Sequence, residues 1–398
     1  MINNMKKALI ITNTASMVHL FNDANIDLLQ RGGYEVHIAC NFLYGNTASE
    51  DAIEEYKKKW KEKGVVAHQI GFLRSPFSLK MFSIYQAVKN VIKCEKFDVI
   101  HCHTPIVSVL VRLAARKERK KGTNIIYTAH GFHFFKGAPL FNWLLYYPAE
   151  WLMSFFTDHL ITITREDYER ASKHFKARHI HYIQGVGVDT RAIAETSCDR
   201  DEMRKELGVN DEEFLVLSVG EINNNKNHRE AIKALSLCNS NIKYMIAGIG
   251  SLKDELTEFA KELGVHDRVK FLGFRTDVYK LLQASDIMVH PSHREGLSVA
   301  IMEAMASRLP IIATDTRGNG DLIDEGLGGF LIAQDDAENL AKALDRLCRD
   351  GALRKKMGEY NFEKIKDFDK TLVVSKLNDI FFEIEGRYAY TPKEVLEV

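Results

Sequence analysis

The chain has no surplus of charge of either sign: 54 Lys+Arg stand against 54 Asp+Glu over 398 residues. A dedicated nucleic-acid binder would carry a strong basic excess, so that class is set aside. Cysteine is sparse. The six (Cys40, Cys94, Cys102, Cys198, Cys238 and Cys348) have no paired spacing, which fits reduced, mostly buried thiols in a cytoplasmic protein rather than a disulfide framework. Long apolar runs are missing too. No stretch of 18 or more uncharged apolar residues occurs, so no transmembrane helix is expected. Met1 to Lys7 leads into a single apolar run too short for a signal sequence. Nucleophile elbow, Gly-Lys-Ser/Thr phosphate loop and zinc-hydrolase pair are all lacking. What remains is ordinary globular composition, 45% hydrophobic and 27% charged, with length for two or three domains.

Apolar runs alternate with helical patterns from the start. Ala8–Thr12, Tyr34–Cys40, Val65–Ile70, Asp98–Cys102, Asn124–Thr128, His159–Ile163 and Ile180–Ile183 read as strands, with helical stretches between most of them. Such alternation means a doubly wound parallel sheet. Residues 191–211 are polar and poor in periodic apolar positions, as a linker would be. A second alternation begins at Phe214–Gly220 and runs through Lys243–Ala247, Val269–Leu272, Asp286–His290 and Pro310–Ala313. The expected organisation is a domain over 1–190, a linker over 191–211, a second domain over 212–370, and a C-terminal helix and tail over 371–398 that packs back on the first domain. Ligands in such sheets sit outside the carboxyl ends of the strands, which here means a central cleft between the domains.

The stretch Ser292 to Met305 lies at such an end. An apolar run stops at Pro291, a loop follows with one glycine, Gly296, and a helix begins with Ser298 as a candidate N-cap. Free N–H groups at a helix start form an anion site. Glu295 precedes the helix and Glu303 lies inside it. A diphosphate at the helix tip, a sugar against Glu295 and a ribose diol against Glu303 would use all three parts; a solvated Glu303 and a turn Glu295 are the plain alternative. Gly220 to Asn227 likewise follows a strand and opens a helix, placing Lys226 where a cation would meet phosphate. Gly248-Ile249-Gly250 does so more weakly, lacking the third glycine of the dinucleotide fingerprint, and a tight turn explains it equally well. His130 ends the Asn124–Thr128 strand region and is a candidate on the first domain. His101 and His103 have no obvious third ligand, and Asp199-Arg200-Asp201 lies in the linker, so no metal site is expected. Between Ala129 and Phe156 come Phe132, Phe134, Phe135, Phe141, Trp143, Tyr146, Tyr147, Trp151, Phe155 and Phe156, with the basic run Arg116 to Lys121 nearby. These read either as the core of a helical insertion or as a patch for a bilayer surface.

Taken together, these residues resemble the retaining glycosyltransferases of family 4, and within them the bacterial capsule and exopolysaccharide members. The Glu295-to-Glu303 spacing matches the family's Glu-x7-Glu motif. Ala129 to Pro139, Trp143 to Pro148, His101 to Pro105, Asn223 to Asn227 and Thr314 to Asn319 look like the subgroup's signatures. The resemblance covers nearly the whole chain. It implies the GT-B fold (two Rossmann-like domains) and metal-independent transfer of a hexose or N-acetylhexosamine from a UDP-sugar, with retention. The acceptor would be a polyprenyl-diphosphate-linked glycan at the inner face of the cell membrane, with the protein held peripherally on an anionic surface. No separate cofactor and no nucleic acid are implied.

By the same resemblance, His130, Lys226 and Glu295 carry catalysis. Gly220, Lys226, Gly248, Gly250, Arg294, Glu295, Gly296, Leu297, Ser298 and Glu303 hold the donor, and Phe271 and Phe274 flank its base. Two departures stand out. Glu221 follows the phosphate-loop glycine where arginine is frequent, so either a second cation comes from elsewhere, with Arg294 the candidate, or Lys226 acts alone. Thr12 to Ser16 has no glycine where the family often has a glycine-rich loop. A UDP-sugar epimerase, another nucleotide-sugar enzyme on the same fold, or a non-catalytic binder are the competing readings.

Overall fold

A computed structural model describes residues 5–46, 48–73 and 78–386; the expected tail beyond Gly386 lies outside them. The chain divides into two compact units. The first comprises the described residues up to Gly185 and those from Val373 onward; the second spans Val186–Leu372.

The sheet of the first unit is built from β1 (Lys6–Thr14), β2 (Tyr34–Asn41), β3 (Val66–Gln69), β4 (Val99–His103), β5 (Asn124–Ala129), β6 (His159–Thr162) and β7 (His179–Tyr182). Their order is β3-β2-β1-β4-β5-β6-β7, and every pairing is parallel. β1 shows why its apolar run is continuous. Leu9 and Ile11 enter one buried cluster with Ile100, Val107 and Val111, while Ala8 and Ile10 enter the opposite one with Val18, Ile26 and Ile38. A strand covered by helices on both faces has no polar side to show. β1 runs to Thr14 and the next helix, Ala15–Arg31, starts at once, so there is no loop for glycines to shape. The helix Lys370–Glu385 ends the described chain, and its Val373, Ile380 and Phe381 are buried in the β1–β2 side of this unit.

In the second unit, β8 (Phe214–Val219), β9 (Ile242–Ala247), β10 (Val269–Gly273), β11 (Ile287–His290), β12 (Ile311–Thr314) and β13 (Gly329–Ile332) form a parallel sheet of order β10-β9-β8-β11-β12-β13. Again alternate residues part: Leu215, Leu217 and Met288 face one cluster, Val216, Ile287 and Val289 the other. The reversal between β8 and β11 is the topological switch point of an open sheet.

Two expectations differ from what is seen. Residues 191–211 are not a bare linker: they carry the helices Thr190–Ala194 and Arg200–Leu207, and Ile193, Met203, Leu207 and Val209 are buried in the second unit's core. The four large apolar side chains of the stretch are all used in that core, and being so few they leave it looking polar. Asp199, in the Asp-x-Asp spacing, is that second helix's N-cap, accepting from the N–H groups of Asp201 and Glu202. The strand β13 is new. Four residues opened by glycine gave too short a signal.

Around Phe132 to Phe156 the apolar side chains divide between core and surface. Phe132 and Phe134 are fully buried and stack at 4.8 Å, and Trp143, Tyr146 and Tyr147 pack on the same cluster. The other face of the helix Leu140–Ser154 shows Leu140, Phe141, Leu144 and Leu152 to solvent. A buried ion pair anchors the helix: Arg112 Nη2 donates to Glu150 Oε2 at 2.7 Å, and the Tyr127 hydroxyl donates to Oε1 at 3.1 Å. No helix among the described residues is long and apolar enough to cross a membrane.

Candidate functional site

Two loops at the carboxyl ends of adjacent strands carry most of the predicted residues of the second unit. One follows β8 and holds Lys226; the other follows β11 and holds Glu295. They are laced together by one backbone and one side-chain hydrogen bond. His293 N donates to Asn225 O at 2.8 Å, and Asn225 Nδ2 donates to Arg294 O at 3.0 Å. Lys226 N donates to Asn223 Oδ1 at 3.0 Å, fixing the lysine's own backbone. The asparagine-rich run thus shapes the loop from within.

Across this seam Lys226 Nζ donates to Glu295 Oε1 at 2.6 Å, with both side chains mostly buried. The same carboxylate oxygen lies 3.0 Å from His290 Nε2. A carboxylate can only accept, so the ring proton sits on Nε2 and is donated to Glu295. Burial keeps the His290 imidazole below its usual range despite the carboxylate beside it, so His290 serves as a neutral donor. Burial alone would raise the Glu295 carboxyl, but the His290 hydrogen bond and the charge of Lys226 outweigh it and hold the group at about 2. Glu295 is therefore ionised throughout the working pH range. Sequence reasoning missed His290; its one signal was a polar residue closing a fully apolar strand.

The helix Val299–Ala306 begins just after Glu295. Ser298 occupies the N-cap position, yet its hydroxyl makes no cap bond to the backbone. It lies 3.2 Å from His290 Nε2, as Ser292 Oγ does at 3.1 Å. The first N–H groups of a helix have no partner within it, and here the residue suited to cap them is turned away. One turn in, Glu303 is half-buried. Burial raises its carboxyl to about 7. Among the described residues no hydrogen bond or ion pair reaches that carboxylate, though Tyr279 lies within electrostatic reach.

Close backbone approach explains the glycines. A Cβ on Gly220 would lie 3.3 Å from Lys226 Cε, and its φ of +153° suits glycine alone; the lysine stem passes directly over it. Gly248 and Gly250 press on the backbone of Gly220 and Ile222, where a Cβ would meet carbonyl oxygens at 1.8 and 2.2 Å. They therefore buttress the phosphate-loop candidate, whatever else they touch. Gly318, in the Thr314–Asn319 run, packs on the Gly296 carbonyl oxygen, which a Cβ would approach to 1.4 Å.

The other predicted residues are less engaged. Arg294 is exposed and, among the described residues, has no acidic partner. Phe271 packs partly on the core, whereas Phe274 is 74% exposed. Leu297 packs against the other core cluster.

In the first unit, His130 directly follows β5. Its Nε2 lies 3.0 Å from His103 Nδ1, and Phe21 approaches its ring at 5.3 Å. Burial pushes His130 down to about 4, so it too is neutral near pH 7. His101 Nε2 pairs with Thr128 Oγ1 at 2.8 Å. Among the described residues, the triplets able to hold a metal ion lie elsewhere, at His37/His68/Glu95 and His159/His181/Glu383.

Comparison with known proteins bears on this site. Residues 199–364 match the sequence model of "Glycosyl transferases group 1" and residues 26–192 that of "Glycosyltransferase Family 4". The chain is 37% identical over 354 residues to EpsD of Bacillus subtilis (strain 168), itself provisionally named a glycosyltransferase; the match covers 88% of this chain and 89% of EpsD. It is 29% identical over 312 residues to the UDP-Gal:alpha-D-GlcNAc-diphosphoundecaprenol alpha-1,3-galactosyltransferase of Escherichia coli, covering 76% and 79% of the two chains. Among solved structures, Anabaena Alr3699/HepE in complex with UDP superposes with a TM-score of 0.76 at 21% identity, over 95% of this chain and all of that one. Both halves of the family pattern are thus present, each on its own parallel sheet: the chain belongs to the family 4, group 1 glycosyltransferases and has the GT-B fold.

Proposed function

We propose that this glycosyltransferase moves a hexose or N-acetylhexosamine from a UDP-sugar to a polyprenyl-diphosphate-linked glycan in the making of a cell-surface polysaccharide, with retention and without a metal in the reaction. The observation that carries the donor side is the grouping at the β8 and β11 strand ends. A cation (Lys226), an uncapped helix start and a half-buried carboxylate (Glu303) that no hydrogen bond or ion pair among the described residues reaches lie on adjoining elements. These are the three chemistries a nucleoside diphosphate requires: charge for the diphosphate, N–H donors for its oxygens, and an acceptor for the ribose diol. The Escherichia coli relative's name gives a UDP-sugar donor, a diphosphoundecaprenol-linked acceptor and an alpha linkage, and the HepE structure holds UDP. Both support the donor and acceptor classes proposed here.

In the proposed reaction the bond from the anomeric carbon to the diphosphate breaks while the acceptor oxygen bonds the same face. The acceptor proton passes to the leaving phosphate oxygen. Negative charge grows on the diphosphate, and Lys226 answers it, the kind of electrostatic contribution that dominates such steps. Glu295, ionised and held by His290, accepts from donor-sugar hydroxyls and orients the Lys226 ammonium. We assign Gly296, Leu297 and Ser298 to backbone contacts with sugar or diphosphate, Arg294 to the second cation, and Phe271 and Phe274 to the base. His130, neutral and held by His103, is assigned to the donor sugar.

Thermal melting with UDP, GDP and ADP, then with UDP-glucose, UDP-galactose, UDP-GlcNAc and UDP-GalNAc, tests the donor. A ligand that binds only the native state raises Tm by mass action. A rise with UDP and one UDP-sugar, unchanged by EDTA, is expected. A rise with GDP or ADP compounds alone overturns the uridine assignment, and no rise with any nucleotide overturns the donor site.

A further inference from the structure

Three histidines at one edge of the first sheet take no part in the transfer chemistry described above. His159 opens β6, while His179 and His181 alternate on β7, the sheet's edge strand. Parallel register sets His159 beside His179 and Ile161 beside His181. Alternate residues of a strand share a face, so both β7 imidazoles point the way His159 does. Their rings stack at 4.8 Å (His159–His179) and 5.3 Å (His159–His181). His159 Nδ1 comes within 3.1 Å of His181 Nε2. The C-terminal helix Lys370–Glu385 then brings Glu383 to the same spot, with Oε1 3.1 Å from His179 Nδ1. One ligand atom each from His159, His181 and Glu383 lies within 4.8 Å of the others.

We propose that His159, His181 and Glu383 form a binding site for one divalent transition-metal ion of the zinc class, fastening the C-terminal helix to the edge strand of the first unit. Two imidazoles and a carboxylate are a donor set that first-row divalent ions favour. Metal–ligand bonds of about 2.0–2.2 Å in a tetrahedron put ligand atoms roughly 3.3 Å apart. The 3.1 Å between the two ring nitrogens is already near that spacing, and Glu383 needs only a side-chain rotation to complete it. Whichever imidazole now donates shifts its proton to its outer nitrogen, freeing the lone pair without change of charge. His179 holds the carboxylate from behind, the supporting hydrogen bond that ligating carboxylates commonly have. Burial is graded: His159 is buried, His181 partly so, and Glu383 exposed, which leaves an entry path and an open fourth position for water. The second triplet, His37/His68/Glu95, is a poorer host. Lys7 Nζ already sits 2.8 Å from Glu95 and 3.2 Å from Glu35, so an ammonium fills the place of a metal cation.

The test uses the whole protein, stripped with chelator and freed of it, then titrated with zinc chloride by calorimetry and followed by thermal melting, with cobalt(II) absorption reporting geometry. One saturable equivalent, a raised Tm, and visible cobalt bands of a four-coordinate site are expected. His181→Gln and Glu383→Gln, both at accessible positions, should each weaken binding at least tenfold, while His68→Gln leaves it unchanged. Transferase activity should survive chelation, since the ion fastens a helix and does not enter the reaction. Absence of saturable binding overturns the proposal. So does binding that is lost in His68→Gln but kept in the other two variants.

Discussion

Lys226 reaches Glu295 at 2.6 Å, so a diphosphate that takes the ammonium shares it with a carboxylate already held by His290. Removing the lysine leaves Glu295 one neutral donor, and takes from the leaving group one of its two proposed countercharges. Lys226→Ala should fold, bind donor weakly and lose on the order of 10²–10³ in kcat, the scale seen when one transition-state donor is deleted. Steady-state kinetics beside a melting curve checks this; full activity in a folded variant would remove Lys226 from the diphosphate. Glu303 makes a different prediction, because its carboxyl is raised from an ordinary 4.5 to about 7. The native state then holds a proton that the unfolded chain releases between those values. Its contribution to stability is full below about pH 4.5 and is lost as pH climbs through 7. Glu303→Gln should flatten that part of the Tm–pH curve. The ribose diol needs the ionised form, so UDP affinity of the parent should rise from pH 6 to pH 8, whereas Glu303→Gln binds roughly tenfold more weakly, a charged hydrogen bond having become neutral, with no such rise. Equal pH dependence in both proteins would separate Glu303 from the ribose.

At the scale of elements, the loop before the helix Val299–Ala306 is set by what it rests on. Gly318 presses on the Gly296 carbonyl so closely that a Cβ would stand 1.4 Å from its oxygen. Gly318→Ala must therefore displace the loop that carries Glu295 and the helix start. The expected result is a lower Tm and donor affinity reduced by tenfold or more; a variant that melts and binds UDP like the parent would show that the loop adapts and does not depend on this contact. Much of this geometry was legible beforehand. An apolar run ending at Pro291, a glycine loop and a helix pattern gave strand, turn and helix start in the right order, because each signal is local. Both faces of β1 and β8 are buried, so their unbroken apolar runs announced the parallel sheets. What stayed hidden depends on distance along the chain. That His290 would hold Glu295, that Glu150 would find Arg112, or that Gly248 would lie on Gly220 is decided by tertiary packing. The helices at 190–194 and 200–207 escaped notice because so few apolar residues anchor them, and β13 because four residues carry almost no period.

For the molecule as a whole, a net charge of zero conceals a local asymmetry on the first unit. Arg116, Lys117, Lys120 and Lys121 are exposed at the end of the helix Pro105–Arg119. Arg119 ties that end to the neighbouring helix by donating to Phe155 O at 3.2 Å. The neighbour presents Leu140, Phe141, Leu144, Trp151, Leu152 and Phe155 to solvent, while its inner face is pinned by the Arg112–Glu150 pair. Apolar side chains beside cations are what an anionic bilayer surface takes up: the rings and Leu enter the headgroup boundary, and each nearby cation adds about 1 kcal/mol. A lipid-linked acceptor would give such a surface its purpose. The full-length protein should co-sediment with vesicles containing anionic lipid, and less so at high salt as the charges are screened. Phe141→Glu with Leu144→Glu should abolish sedimentation and slow transfer to a lipid-linked acceptor, yet leave UDP affinity untouched, because neither side chain belongs to the second unit, where the nucleotide contacts are proposed. If the double variant binds vesicles as the parent does, or loses vesicle binding while transferring to the lipid acceptor at the parental rate, the exposed face of this helix has some other use, and the acceptor reaches the enzyme without it.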